Sequence, residues 1–219
     1  MKIGVIGATG GTGNLIVTQL IDAGQEVRAI VRRKDAGARL GSMGAELVTL
    51  DLTDAAALSA DSATQALTGL DAVINAAAAR SSDGAQARAV DRDGVTAAID
   101  AAKAAGVRHW VQVSMWGSDD PSRLPAMLRE TADAKRAADD HLAASGMTWT
   151  VVRPPWLEDS PAGDRIIVGT QVEEGSLPRA DLAAVAIASL DLDSTRNTVF
   201  EVTAGGQRSV RDALAALQS

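Results

Sequence analysis

A short apolar run, Lys2-Ile3-Gly4-Val5-Ile6, passes directly into Gly7-Ala8-Thr9-Gly10-Gly11-Thr12-Gly13 and then into a helical pattern. No other stretch of the chain restricts its fold so strongly. Between a strand and a helix, glycines allow a tight turn, close approach of backbone to a pyrophosphate and close packing of helix on strand. The helix amino terminus adds free N–H donors and positive potential. The motif therefore predicts a dinucleotide site at Gly7, Thr9, Gly10, Gly11, Thr12 and Gly13.

Downstream, short runs rich in Val, Ile or Leu alternate with Ala-rich stretches, the mark of βαβ units stacked into a parallel sheet buried on both faces. Six strands are read at Lys2 to Ile6, Glu26 to Val31, Glu46 to Leu50, Ala72 to Asn75, His109 to Ser114 and Thr148 to Arg153. Helices are read at Thr12 to Ala23, Ala85 to Ala105 and Arg129 to Ser145, ended by Gly24, Gly106 and Gly146 at positions that suit left-handed caps. Beyond Arg153, Pro154, Pro155, Pro161 and Gly163 mark a long loop, then a weak strand near Arg165 to Val168. A helix from Arg179 to Leu190, a strand from Thr198 to Val202 and a helix from Val210 to Leu217 complete the pattern. The expectation is an α/β Rossmann-type fold: a doubly wound parallel sheet with helices on both faces. The 219 residues suit one NAD(P)-binding domain, with residues 154–219 contributing a small substrate-side lobe.

Composition removes several function classes. A net charge of −7 repels polyphosphate, so no nucleic-acid partner is expected. Absence of cysteine excludes disulfides and thiolate nucleophiles. His109 and His141 lack zinc spacing, and no GxSxG or Walker motif occurs, so no metal is expected. The amino terminus is too short an apolar run for a signal peptide or a span, which predicts a cytoplasmic protein with no membrane partner.

The choice of cofactor is read at the end of the second strand, where NAD binders place an acidic residue about twenty positions on. Here that position holds Arg32, followed by Arg33 and Lys34. A guanidinium grips a 2′-phosphate that a carboxylate would repel, so NADP(H) is expected over NAD(H). The same triplet also suits a solvated turn before Asp35. After the third strand, Asp51-Leu52 can meet an adenine edge, or Asp51 can simply begin a helix turn to Ala57. Ala76 and Ala77 after the fourth strand leave room for ribose and diphosphate.

These residues resemble those of the atypical short-chain dehydrogenases/reductases, in particular NmrA-like and biliverdin-reductase-B-like proteins. The resemblance rests on the glycine loop, Asp51-Leu52, Val90-Asp91 with Gly94, and Ala105-Gly106-Val107 before Val111-Gln112-Val113-Ser114. It continues through Ala134-Lys135-Arg136-Ala137-Ala138 and Val152-Arg153-Pro154. It implies a serine at Ser114, a lysine at Lys135 binding nicotinamide ribose, and Pro154 at the nicotinamide edge. The tyrosine of such families is here Thr131, and the chain has no tyrosine at all. A tyrosine near pKa 10 can be tuned towards working pH by an ammonium, whereas an alcohol lies several units higher. Thr131 and Lys135 lie one helical turn apart, and both can face one cleft.

Trp116 and Trp156 flank the expected nicotinamide end and offer broad faces to a flat ligand, although buried loop anchoring is the commoner role for such residues. Asp119, Asp120, Glu158 and Asp159 occupy the surrounding loops as solvated carboxylates or proton relays. The sequence thus predicts an NADPH-dependent oxidoreductase delivering hydride to a small conjugated acceptor, as a monomer or small homo-oligomer. The alternatives are a silent NADP(H) sensor with a protein partner, as NmrA-like relatives suggest, and a sugar-nucleotide epimerase.

Overall fold

The computed structural model describes residues 1–54, 56–80 and 83–217. Ala55, within the expected Asp51 to Ala57 turn, lies outside them.

The described residues form ten strands: β1 (Lys2–Ile6), β2 (Glu26–Val31), β3 (Glu46–Thr49), β4 (Ala72–Asn75), β5 (His109–Val113), β6 (Thr148–Arg153), β7 (Trp156–Glu158), β8 (Ile166–Gly169), β9 (Ser176–Pro178) and β10 (Thr198–Ala204). Eight build one sheet in the order β3-β2-β1-β4-β5-β6-β10-β8, parallel except for β8, which runs antiparallel to β10. Chain order reverses between β1 and β4, and ligands bind outside the carboxyl ends of strands at such a switch point. All six strands expected before Pro154 are present, with the third and fifth each ending one residue early.

Each face of the sheet carries its own apolar core. Ile3, Val5, Val111 and Phe200 pack beneath the helices Gly11–Asp22, Arg179–Ala188 and Val210–Ala215. Ile6, Val73, Trp110 and Val151 pack beneath Ala60–Leu67, Val95–Ala104 and Arg129–Ala144. Strands covered on both faces must be apolar on both, which is why these runs show little alternation. Of residues 154–217, β10 and β8 extend the main sheet, while β7 and β9 form a separate parallel pair near the carboxyl edge.

The long helix expected from Ala85 to Ala105 is interrupted. An α-turn at Gly84–Ala87 leads into a π-helical segment, Arg88–Gly94, before α-geometry resumes at Val95. The wider winding accommodates close packing: a Cβ on Gly94 would sit 2.3 Å from the Leu52 carbonyl oxygen. Such segments concentrate at functional sites, and this one places the buried Asp91 towards the Arg129–Ala144 helix.

Candidate active site

The carboxyl ends of the parallel strands open into a cleft of about 1030 Å³. Its first wall is the glycine loop. Gly7 has φ +76°, and a Cβ there would lie 2.6 Å from the Ala77 amide nitrogen. A Cβ on Gly13 would lie 2.2 Å from the Gly7 carbonyl oxygen, so helix and strand meet at a distance no side chain permits. The helix that follows, Gly11–Asp22, has Gly10 as its N-cap, with no side-chain cap and no acidic residue in its first turn. Its amino-terminal N–H groups and positive dipole are therefore available to an anion. Gly7, Thr9, Gly10, Gly11 and Thr12 line the cleft, while Gly13 lies behind them as the packing contact.

Beyond the loop, Arg32 from the end of β2 and Asp51, Leu52 and Thr53 after β3 form the next wall. Burial works against ionisation of Asp51, but the Thr53 amide at 2.9 Å, the Thr53 hydroxyl at 2.8 Å and the Arg32 guanidinium hold its carboxyl below the usual range. Arg33 corrects the expectation. It does not line the cleft but turns to solvent and pairs with Asp35 at 3.3 Å. On the other side, the buried Asn75 accepts from the Ala77 amide at 3.1 Å and donates to Gln112 Oε1 at 3.0 Å. This fixes the edge where Ala76, Ala77, Ala78 and Ala79 face the cleft.

At the far end lie Ser114, Met115, Lys135, Pro154 and Pro155. Lys135 Nζ lies 3.0 Å from Asp91 Oδ1, and Asp91 Oδ2 accepts from the Ala79 amide at 3.2 Å. Ser114 Oγ donates to Asp139 Oδ2 at 2.7 Å, and Arg153 Nη2 approaches the same oxygen at 3.2 Å. Asp139 is buried, and desolvation, opposed by Arg153, Ser114 and Lys135, pushes its carboxyl up to about 6. Near the mouth, Arg179 packs against Gly11 and pairs with Asp159 at 2.8 Å.

Besides Arg33, three expected site residues lie outside the cleft. Thr131 does not line the cleft, and its hydroxyl oxygen is buried without a hydrogen-bond partner among the described residues. Trp116 is also outside it: the ring is buried beneath the Arg123 guanidinium, 4.2 Å from its centroid, and Nε1 donates to the Val172 carbonyl at 3.0 Å. Arg123 in turn grips the buried Glu201, which also accepts from the Gly117 and Val172 amides, so this cluster braces two loops. Trp156 is 55% exposed on β7 and donates to Glu174. Loop anchoring accounts for Trp116. His109 is buried at the opposite end of β5 against Thr150, and His141 pairs with Asp100 on the surface.

Sequence reasoning assigned no role to Asp91, Asp139 or Arg179. The signal for Asp139 was present: with Ala132, Lys135, Ala138 and Leu142 it lies on the buried stripe of its helix, where an acidic residue calls for a partner.

A sequence profile described as NAD(P)H-binding matches residues 7–193. The chain belongs to this NAD(P)H-binding family. Among family relatives, the uncharacterized sugar epimerase YhfK of Bacillus subtilis is 34% identical over 207 residues, covering 94% of this chain and 95% of that protein. Sanguinarine reductase of Eschscholzia californica is 27% identical over 244 residues, covering 90% and 86%. A solved structure described as an NAD-dependent epimerase/dehydratase from Bacillus halodurans superposes with a TM-score of 0.88 at 28% identity, over 98% of each chain. The NAD(P)H-binding fold and its reductase neighbours agree with the resemblance to atypical short-chain dehydrogenases/reductases. No helix among the described residues is long and apolar enough to cross a membrane.

Proposed function

We propose that the protein is an NADPH-dependent oxidoreductase that delivers hydride to a small conjugated acceptor, a flavin, quinone or carbonyl compound, without a tyrosine acid. One observation carries this reading: a single cleft runs from Arg32 and Asp51, past the glycine loop, to Ser114, Lys135 and Pro154. Its length and chemistry fit a dinucleotide, with cationic and N–H donors where phosphates fall and small alanines where the sugars pass.

Arg32 is the reader of the 2′-phosphate, because it lines the cleft while the neighbouring Arg33 does not. Asp51 and the backbone near Leu52 meet the adenine edge. Thr9, Gly10, Gly11 and Thr12 cradle the diphosphate. Lys135, held by Asp91, presents its ammonium to the nicotinamide ribose, and Pro154 closes that end. When bound, the reduced nicotinamide supplies the hydride; the chain orients the acceptor, excludes water and handles the proton. Ser114 orients the acceptor's oxygen.

The test is consumption of NADPH and of NADH, followed by absorbance, against a panel of flavins, quinones and carbonyl compounds, with Lys135→Ala as control. Acceptor-dependent oxidation that favours NADPH and is lost in the variant is the expected outcome. An epimerase, as the names of two relatives suggest, returns its cofactor each cycle and consumes none. Saturable NADPH binding with no turnover by any acceptor overturns the reading in favour of a sensor.

A further inference from the structure

We propose that Asp139 is the proton reservoir of this site and that it acts through Ser114, replacing the tyrosine the chain lacks. This rests on the oxidoreductase reading above and adds the source of its proton.

The geometry is a two-step path from the interior to the cleft. Ser114 lines the cleft and its hydroxyl donates to Asp139 Oδ2 at 2.7 Å. Asp139 is buried behind it, only 3% exposed, on the Arg129–Ala144 helix. Its second oxygen, Oδ1, is buried with no hydrogen-bond partner among the described residues. A buried carboxylate with one oxygen left without a hydrogen bond is unfavourable, and protonation removes the charge.

The surrounding charges lead to the same result. Lys135 from the same helix is matched by Asp91 of the π-helical segment at 3.0 Å. Arg153 at the end of β6 faces Asp139 at 3.2 Å and Asp119 of the loop after β5 at 3.7 Å. Asp119 also faces Arg123 at 3.7 Å, and Arg123 is matched by Glu201 at 3.0 Å. Three cations, Lys135, Arg153 and Arg123, therefore face four carboxyls, Asp91, Asp119, Asp139 and Glu201, so the cluster is one positive charge short unless one carboxyl holds a proton. A neutral Asp139 balances the cluster; burial also raises its carboxyl to about 6, near working pH, where a general acid is most effective.

The step balances as follows. The acceptor gains a hydride, with its two electrons, from the reduced nicotinamide. Its oxygen takes the proton of Ser114 Oγ as that O–H bond breaks. For this the acid proton sits on Asp139 Oδ2, the oxygen that touches Ser114, and the hydrogen bond between them reverses so that Oδ2 donates to Oγ and the hydroxyl turns to the acceptor. Ser114 then regains a proton from Oδ2 as that O–H bond breaks, leaving a carboxylate next to Arg153 that is reprotonated from solvent. The net change is one NADPH and one proton consumed for each two-electron reduction. Thr131 takes no part, since its hydroxyl does not reach the cleft.

Asp139→Asn keeps the shape and removes the exchangeable acid; Ser114→Ala cuts the path and leaves Asp139 with Arg153. In the unsubstituted protein, kcat for a carbonyl acceptor should fall as pH rises through about 6. Both variants should lose roughly 100-fold or more in kcat, the range of general acid catalysis, and the pH limb should vanish. The cofactor-free protein gives an independent reading: infrared titration should show one carboxylic acid band persisting to about pH 6 and absent in Asp139→Asn. Circular dichroism checks that each variant folds, and should Asp139→Asn not fold, Ser114→Ala still carries the kinetic test. Variants that turn over at the parental rate with the parental pH profile, or a missing infrared band, overturn the relay while leaving the oxidoreductase reading intact. Absence of turnover in the unsubstituted protein with every acceptor overturns both.

Discussion

The ammonium of Lys135 and the carboxylate of Asp91 meet at 3.0 Å with both side chains almost entirely removed from water. Among the described residues neither charge has another opposite charge as near, so each is the other's compensation in a medium where an isolated ion is costly.

Removing one partner strands the other. Lys135→Ala should therefore lower unfolding stability by about 3 kcal/mol or more, the usual consequence of orphaning a buried charge. Lys135→Met combined with Asp91→Leu, which removes both charges and keeps the volume, should recover most of that loss in urea denaturation. A Lys135→Ala protein as stable as its parent would show that the pair is solvated.

Cofactor selectivity should follow Arg32 alone of the basic triplet. Arg32→Ala should weaken NADPH binding by roughly tenfold to a hundredfold, the worth of charge-assisted bonds to a phosphate, and leave NADH almost unchanged. Arg33→Ala should alter neither, because Arg33 is engaged with Asp35 away from the cleft. Fluorescence titration with the two nucleotides distinguishes these outcomes, and equal weakening of both would remove Arg32 from the role.

Stability should respond to pH through two groups of opposite sign. Burial, with Arg196 adding to it, depresses His109 from 6.5 to about 4. The unfolded chain therefore takes up this proton first; the stabilising contribution is intact above about 6.5 and is lost as pH falls to about 4. Asp139 runs the other way, from 3.8 to about 6, so its contribution is intact below 3.8 and is lost as pH rises through about 6. Between pH 4 and 6 the two slopes oppose each other. Melting curves of His109→Asn should fall with rising pH across that window, those of Asp139→Asn should rise, and the parent should be flatter than either.

Arg123 should matter for loop order rather than for chemistry. It covers the Trp116 ring and neutralises the buried Glu201, which also holds the Gly117 and Val172 amides. Arg123→Ala should red-shift tryptophan emission and raise amide exchange in residues 115–125 and 170–175. An unchanged exchange pattern would mean that Glu201 braces those loops without it.

Much of this architecture was legible in the chain. Strands buried on both faces are short runs rich in Val and Ile, and the helix ends at Gly24, Gly106 and Gly146 all have positive φ. The glycine loop was readable because its chemistry is written in absent side chains. Less was readable where tertiary contacts decide. Trp116 sits near the site in sequence, yet its indole N–H needs the Val172 carbonyl, and that need turns it inward. Thr131 shares a helix with Lys135 but not its outlook, because Lys135 lines the cleft while the Thr131 hydroxyl oxygen is buried away from it. Strands β7 and β9 have three residues each and carry too little pattern to be seen without their pairing.

The winding of the chain over Arg88–Gly94 places a constraint on how this protein can vary. A π-turn closes with one residue more than an α-turn. Deleting a single residue there would let the helix relax to 3.6 residues per turn and carry Asp91 about 100° around its axis. No site residue need be replaced for the ammonium of Lys135 to lose its counter-charge. A length change in an Ala-rich helix, invisible to any tally of matched site residues, is thus as disabling as a substitution, and descendants of this chain are expected to preserve the count of residues between Ala87 and Val95 as strictly as the lysine itself.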